Sequence, residues 1–129
     1  MGAMRILHRN NPRSSGYAEG SFVEQLCEYC VWDDAKYWEL EAAVYELASN
    51  QPIDQESLAA LFSIFDRVSL LLGCHFDPND TFTLKDRSDE EVQENRERLS
   101  LVWEGCFIGQ MPSQEMFSVE NPLLSSARG

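Results

Sequence analysis

Residues 54–73, DQESLAALFSIFDRVSLLLG, decide the fold of this 129-residue chain. Apolar side chains recur there at intervals of three and four, the spacing that places them on one face of an α-helix. The face consists of Leu58, Leu61, Phe62, Phe65, Val68 and Leu72, and it is broadened by Ile64, Leu70 and Leu71. Asp54 is a favoured N-cap, and Gly73 is a favoured C-terminal stop. The stretch therefore predicts a long helix at the centre of a core.

Capping boxes mark the starts of two further helices. Ser21-x-x-Glu24 predicts a helix over residues 22–31, and Ser88-x-x-Glu91 predicts a helix of about eighteen residues that ends at Gly105 and Gly109. In such a box the Ser hydroxyl and the Glu carboxylate each satisfy a backbone N–H that has no partner within the helix.

One more helix is predicted between these signals, over residues 35–48. Asp33 or Asp34 can cap it. Its apolar face is Tyr37, Leu40, Val44 and Leu47, whereas Glu39, Glu41 and Glu46 take other angular positions. The chain is long enough for one core and too short for two. We therefore expect an all-α, single compact domain of four to five helices with an ordered middle loop.

The middle loop and the chain ends complete the domain organisation. Residues 75–80 are rich in turn formers, and the alternation over residues 81–84 suits either one short strand near Phe82 or an extended packed loop. Residues 1–3 read as a cloning remnant ahead of Met4, residues 4–124 as a single helical domain and residues 125–129 as a disordered tail. Within the domain, residues 113–117 suit one turn of helix, and the two leucines after Asn121-Pro122 are expected to pin the C-terminus.

The charge of the chain is strongly negative, with 22 Asp and Glu against 10 Lys and Arg, a net charge of −12. Residues 19–46 hold eight carboxylates and one lysine, and residues 86–104 hold seven carboxylates and three arginines. Such a field repels nucleic-acid phosphates and anionic lipid, and it speeds association with a basic protein. An acidic surface that serves only solubility is the alternative interpretation.

Neither a membrane span nor a signal peptide is predicted. No apolar run approaches the roughly 20 residues that cross a bilayer, and the N-terminus lacks a long apolar stretch. We therefore expect a soluble cytoplasmic protein without membrane contact.

The four cysteines are expected to be reduced and free of metal. Cys27-x-x-Cys30 has the spacing of a redox pair, but its acidic neighbours do not stabilise a thiolate. A zinc site from Cys27, Cys30, Cys74 and His75 would pair two ligands that are adjacent in sequence, which is not the spacing of structural zinc sites. We expect neither a metal nor a cofactor.

Catalytic patterns are weak. His8 or His75 with a nearby carboxylate could serve acid/base chemistry, and a small hydrolase that uses His75 and Asp77 is one hypothesis. The segment His75-x-Asp77-x-x-Asp80 lacks the oxygen spacing and the turn glycine of an EF-hand, so Asp77 predicts an Asx turn and Asp80 a local cap. The chain has no nucleophile elbow, Gly-rich phosphate loop or basic aromatic patch. Surface recognition is the class of function that is left.

Four segments carry a resemblance to a known family. They are Gly20-Ser21-Phe22, residues 75–82 (HFDPNDTF), residues 103–109 (WEGCFIG) and residues 121–124 (NPLL). In this order they resemble the helical immunity proteins of bacterial polymorphic-toxin and contact-dependent growth-inhibition systems, immunity protein family forty-one. The resemblance implies a protein without enzymatic activity that binds the C-terminal toxin domain of its cognate effector in the cytoplasm and blocks it.

The charge of the chain points the same way. Many such toxins are nucleases with basic substrate clefts, and an acidic protein can occupy a basic cleft in place of phosphates. An acidic adaptor or chaperone for another basic protein is the alternative. The expected partner-binding residues are Asp33, Asp34, Glu39 and Glu46 on one helix, Glu90, Glu91, Glu94 and Glu97 on another, and His75, Asp77 and Asp80 in the middle loop.

Overall fold

A computed structural model describes residues 2–125 as an arrangement of packed helices. The elements are α1 (Ala3–Asn10), α2 (Phe22–Tyr29), α3 (Asp34–Ala48), α4 (Gln55–His75), α5 (Asp89–Ile108), a 3-10 turn (Gln114–Met116) and α6 (Pro122–Ser125). Residues 2–125 contain no strand. The prediction of an all-α domain is therefore confirmed.

Helix α3 contacts four helices, α1, α2, α5 and α6, and helix α4 packs against α1, α2 and α5. The buried face of α4 consists of Ala60, Leu61, Ile64, Val68 and Leu72. The predicted face is too wide, because Phe62 is 59% exposed and Leu70 is 61% exposed on sides that no other helix covers. By length and composition α4 could also cross a membrane, a property that core helices share, and its packing is compatible with a soluble protein.

Helix α1 is not predicted by the sequence pattern. Leu7 is fully buried, and the helix packs against α2, α3 and α4. Asn10 ties its end to α2, since Nδ2 donates to the Ile6 carbonyl (2.9 Å) and Oδ1 accepts from the Val23 N–H (3.0 Å). The helix has only eight residues, no acidic residue in its first turn and no side-chain cap, so the usual start signals are lacking.

Three of the predicted helix starts are capped by the expected side chains. Asp33 caps α3 and Asp54 caps α4, each by accepting a backbone N–H of the first turn. At α5 the box is complete, because the Ser88 hydroxyl accepts from the Glu91 N–H (3.2 Å) and the Glu91 carboxylate accepts from the Ser88 N–H (2.9 Å).

The start of α2 departs from the predicted box. Ser21 accepts from the Glu24 N–H at 3.2 Å, as expected. The Glu24 carboxylate instead accepts from the N–H of Gly20 at 3.0 Å, one residue before the cap. Gly20 has a φ of 85°, a conformation that favours glycine, and this turn lets the carboxylate bind the earlier N–H.

The ends of the two long helices differ. Helix α5 stops at Gly109, which has a φ of 81° in the left-handed region. Gly73 does not stop α4, and the expectation of a stop there is wrong: the helix continues to His75. Gly105 lies inside α5, where a Cβ would come within 2.8 Å of the Gln110 carbonyl oxygen and of Pro112 Cδ.

The middle loop is extended and packed, which was one of the two predicted alternatives. Leu84 is buried, and the Lys85 N–H donates to the Cys30 carbonyl at 2.9 Å. This single hydrogen bond fastens the loop to the end of α2 without forming a sheet.

The C-terminal part is pinned by the buried side-chain amide of Asn121 together with α6, the short helix that carries both leucines. Leu123 is 47% exposed, whereas Asn121 is fully buried, and α6 packs against α3. The turn of helix predicted over residues 113–117 occurs as the 3-10 turn. Ser125 ends α6, and the rest of the predicted disordered tail lies outside the described residues, as does Met1.

The carboxylates that cap α4 and α5 are expected to make the stability of the fold depend on pH. Hydrogen bonds from Ser57 lower the pKa of Asp54, and hydrogen bonds from Ser88 lower the pKa of Glu91. A carboxylate whose pKa is lower in the folded state stabilises the fold above its unfolded pKa, about 4, and this stabilisation is lost as the pH falls through the folded pKa. We expect Asp54→Asn, which keeps a cap but cannot titrate, to lose less stability than the parent between about pH 6 and about pH 2.5.

Urea unfolding at each pH measures this difference. Asp66→Asn, at an exposed position of the same helix, is the matched control and should follow the parent. Parallel pH profiles for Asp54→Asn and the parent would contradict the role of the cap.

Candidate functional site

A contact between two loops brings the two acidic segments together. The Arg87 guanidinium contacts the Asp34 carboxylate at 2.8 Å and donates to the Trp32 carbonyl at 3.0 Å. Asp86 accepts from the N–H of Trp32 at 3.1 Å. These bonds fasten the residues before α5 to the start of α3, so the acidic first turns of both helices meet.

An open groove of about 470 Å³ lies at this junction, between α3, α5 and the chain after the 3-10 turn. We call it the acidic groove. Its carboxylates are Asp34, Glu91, Glu94 and Glu97, and its apolar lining includes Trp38, Leu101, Met116, Phe117 and Val119. Leu101, Met116 and Val119 are between 40% and 58% exposed. The groove therefore offers a partner both negative charge and apolar surface.

A fully buried carboxylate, Glu41, organises the residues behind the groove. It accepts from Arg98 at 2.7 and 2.9 Å, Tyr37 at 3.0 Å, Asn121 at 3.0 Å and Gln114 at 3.2 Å. Burial and the charge of Glu41 raise the pKa of Tyr37, so its hydroxyl stays protonated and donates. The network pins the segment with the 3-10 turn to α3 and α5.

Arg98 links this network to the groove. Its guanidinium lies 4.7 Å from the Trp38 ring centre and 4.2 Å from that of Phe117, and it donates to the Val119 carbonyl. Burial by itself lowers the pKa of Arg98, but hydrogen bonding and charge attraction from Glu41 outweigh it, so the pKa is raised. Arg98 is therefore a fixed cation that supports the groove wall.

Asn95 also lines the groove, and its side-chain amide nitrogen lacks a hydrogen-bond acceptor in the described part of the chain. Nδ2 is buried and has no hydrogen-bond partner within residues 2–125. A buried donor without an acceptor costs stability.

The other carboxylates predicted on α3 do not line this groove. Glu39 and Glu46 lie about 120–140° around the helix from Asp34, at about 100° per residue. They line a smaller depression of about 300 Å³ beside α1, where Glu46 accepts the N–H of Ala3 at 3.0 Å. Asp33 caps α3, and Glu90 is exposed on α5 outside the groove lining.

The middle-loop residues have local roles. Asp77 accepts from the Asn79 N–H at 2.9 Å, the predicted Asx turn, and Asp80 accepts from the Phe82 N–H at 2.8 Å, the predicted local cap. Both side chains lie away from the acidic groove, whose lining includes none of residues 75–85.

His75 fastens the loop to two helices. Its side chain is 2% exposed, Nε2 lies 2.8 Å from the Asp89 carboxylate, and Nδ1 accepts from the Leu84 N–H at 3.0 Å. Because Nδ1 accepts, Nε2 carries the proton that points to Asp89. Both ring nitrogens are thus engaged, and the partner of His75 is Asp89 and not Asp77.

Two of the cysteines are poorly suited to thiolate chemistry. Burial raises the pKa of Cys106 to about 11, and burial also raises the pKa of Cys27. No group of three or more His, Cys, Asp or Glu side chains in the described part of the chain could hold a metal ion.

Sequence reasoning missed the residues that shape the groove. The sequence pattern gives Glu41 an angular position outside the apolar face of α3, although it lies only about 40° from Tyr37 around the helix. That angle was an available signal. The role of Arg98 depends on Glu41, which is far away in sequence, so no local pattern indicates it.

The four segments of the family resemblance carry structural roles. They supply the Ser21 cap, the His75 bonds, the buried Trp103 and the Asn121 contacts, and not the carboxylates of the groove. Comparison of the chain with protein families, with curated proteins and with solved structures finds no match in any of the three.

Proposed function

We propose that this protein is a cytoplasmic immunity protein that binds the basic C-terminal toxin domain of a contact-dependent growth-inhibition effector, a nuclease, and neutralises it. The single observation that carries the proposal is the acidic groove, where carboxylates from both acidic segments converge beside exposed apolar side chains. The acidic groove and a basic nuclease cleft attract each other electrostatically. The apolar side chains of the groove add contact area once the two proteins have met.

In this proposal the chain inhibits the toxin by binding it and does not catalyse a reaction. A non-catalytic role is supported by His75, whose two ring nitrogens are occupied by Asp89 and Leu84. The net charge of −12 opposes direct binding of nucleic acid or of an anionic membrane. The partner is therefore a protein, and the chain uses no cofactor.

The first step of the experiment is to look for a gene of a large secreted protein beside the gene of this chain, and the C-terminal domain of that protein is then tested. An equimolar amount of the chain should abolish its nuclease activity, and co-expression should protect cells from it. Because long-range attraction drives the encounter, the association rate should fall by roughly tenfold or more between about 0.01 and about 1 M salt.

A charge-reversed variant is the control for this effect. The exposed residues Glu39, Glu90 and Glu94 are all replaced by Lys, and Asp33 is kept because it caps α3. The variant should associate more slowly and with a flatter salt dependence, while its melting temperature stays close to that of the parent. The proposal fails if no such neighbouring protein exists, or if its toxin domain kills cells equally with and without the chain.

A further inference from the structure

The side of α4 that faces away from the core is uncovered. Within about 80° of one another around this helix lie Ala59, Phe62, Asp66, Leu70 and Gly73. We call this surface the α4 outer face. Phe62 and Leu70 are each more than half exposed, and a Cβ placed at Gly73 would meet nothing within 4 Å. Residues 2–125 therefore leave two large apolar side chains of this face in solvent.

The residues of the α4 outer face have the same order in both directions along the helix. Counted from Asp66, Phe62 and Leu70 lie four positions away on either side. Ala59 and Gly73 lie seven positions away. Two copies of α4 that run antiparallel about a two-fold axis at Asp66 therefore bring large side chains against large ones and small residues against small ones. A two-fold interface between identical chains requires this kind of self-complementarity.

The charge of α4 favours a second copy on this face. Residues 57–74 hold one acid, Asp66, and one base, Arg67, whereas the whole chain has a net charge of −12. Neither side chain forms an ion pair within residues 2–125, and the Arg67 guanidinium lies 4.0 Å from the Cys27 sulfur. In the antiparallel pair two acids and two bases surround the axis, so their charges balance. On such a neutral face two strongly acidic chains meet with little local repulsion.

We propose that the α4 outer face binds the same face of a second copy of this chain, with the two helices antiparallel about a two-fold axis at Asp66. Phe62 of each copy packs against Leu70 of the other, and Arg67 of each copy pairs with Asp66 of the other. The face is about 21 Å long and about 10 Å wide, which is well below the roughly 800 Å² per partner of a stable interface. The dimer is therefore weak and forms at about 0.1–1 mM chain.

This pairing is independent of the proposed function. The lining of the acidic groove includes no residue of α4, so the dimer does not use the residues that the toxin domain is proposed to bind. Each copy in the dimer keeps its own groove.

Sedimentation equilibrium of the purified chain at rising concentration measures the pairing. A monomer–dimer equilibrium is expected in about 0.15 M salt, and it should weaken in about 0.01 M salt, because repulsion between the two acidic copies is then less screened. Phe62→Ser and Leu70→Ser should each weaken the dimer by about tenfold or more, since each apolar contact occurs twice in a two-fold pair.

Charge exchange at the axis tests the antiparallel arrangement. Asp66→Arg gathers four cations about the axis and Arg67→Asp gathers four anions, so each variant alone should dimerise about tenfold or more weakly than the parent. A mixture of the two variants restores the balance of charge and should form a heterodimer about as tight as the parent dimer. Glu104→Arg, at an exposed position of α5, is the matched control: it makes the same charge change as Asp66→Arg outside this face and should not weaken the dimer. Circular dichroism of each variant verifies that it is folded.

Three results would overturn the proposal. The first is a chain that stays monomeric up to about 1 mM. The second is a dimer that Phe62→Ser and Leu70→Ser leave unchanged, and the third is a mixture of the two charge variants that dimerises no better than either alone. If Phe62→Ser weakens binding of a toxin domain while the parent chain is monomeric, the face belongs to the toxin interface and not to a second copy. Dimerisation with no effect on any toxin would leave the pairing standing and the immunity function refuted.

Discussion

Replacement of Glu41 with glutamine should lower the free energy of unfolding by about 3 kcal/mol, and the melting temperature by about 10 °C. The side chain keeps its size, so packing is nearly unchanged. The charge that balances Arg98 is lost, however, and an amide NH₂ is placed among the donors of Gln114 and Asn121. Breaking a buried ion pair at one partner is costly because the other charge stays buried without compensation.

Glu39→Gln, an exposed position two residues earlier in α3, is the matched control and should change stability by less than about 0.5 kcal/mol. Thermal and urea unfolding of both variants make the comparison. A double variant, Glu41→Leu with Arg98→Met, removes both charges together. It should lose less stability than the sum of the losses of the single variants Glu41→Leu and Arg98→Met. Equal small effects at Glu41 and Glu39 would show that the buried pair does not hold the fold together.

Replacement of Trp103 with alanine should cost about 4 kcal/mol. Its side chain is fully buried, and Nε1 donates to the Leu61 carbonyl at 3.0 Å, which joins α5 to α4. The variant leaves a cavity between the two longest helices and a carbonyl that has lost its side-chain donor. Unfolding in urea measures the loss.

Phe62→Ala is the informative comparison, because Phe62 belongs to the apolar face predicted from sequence but is 59% exposed. It should cost less than about 1 kcal/mol. If Phe62→Ala destabilised the protein as much as Trp103→Ala, the buried face of α4 would have to be the wider one that the sequence pattern predicts.

The predictions that the structure confirms depend on local interactions. Asp33, Asp54 and Ser88 cap helices where the sequence predicts caps, because each bond joins a side chain to a backbone N–H three residues later. The all-α class follows from apolar periodicity, which likewise needs only neighbouring residues. Helix α1 is not predicted because it lacks those local signals. Its stability comes from Leu7 and Asn10, which pack against other helices.

The sequence by itself determined the helical class, most helix starts, the Asx turn in the middle loop and the negative charge of the chain. Only the tertiary structure decided which carboxylates meet. It buried Glu41 with Arg98, 57 positions away, and with Asn121, 80 positions away, and it joined the start of α3 to α5 through Arg87. The physical reason is that a helix pattern reports only the faces of one segment, whereas the pairing of buried charges and the lining of a groove depend on which segments pack together.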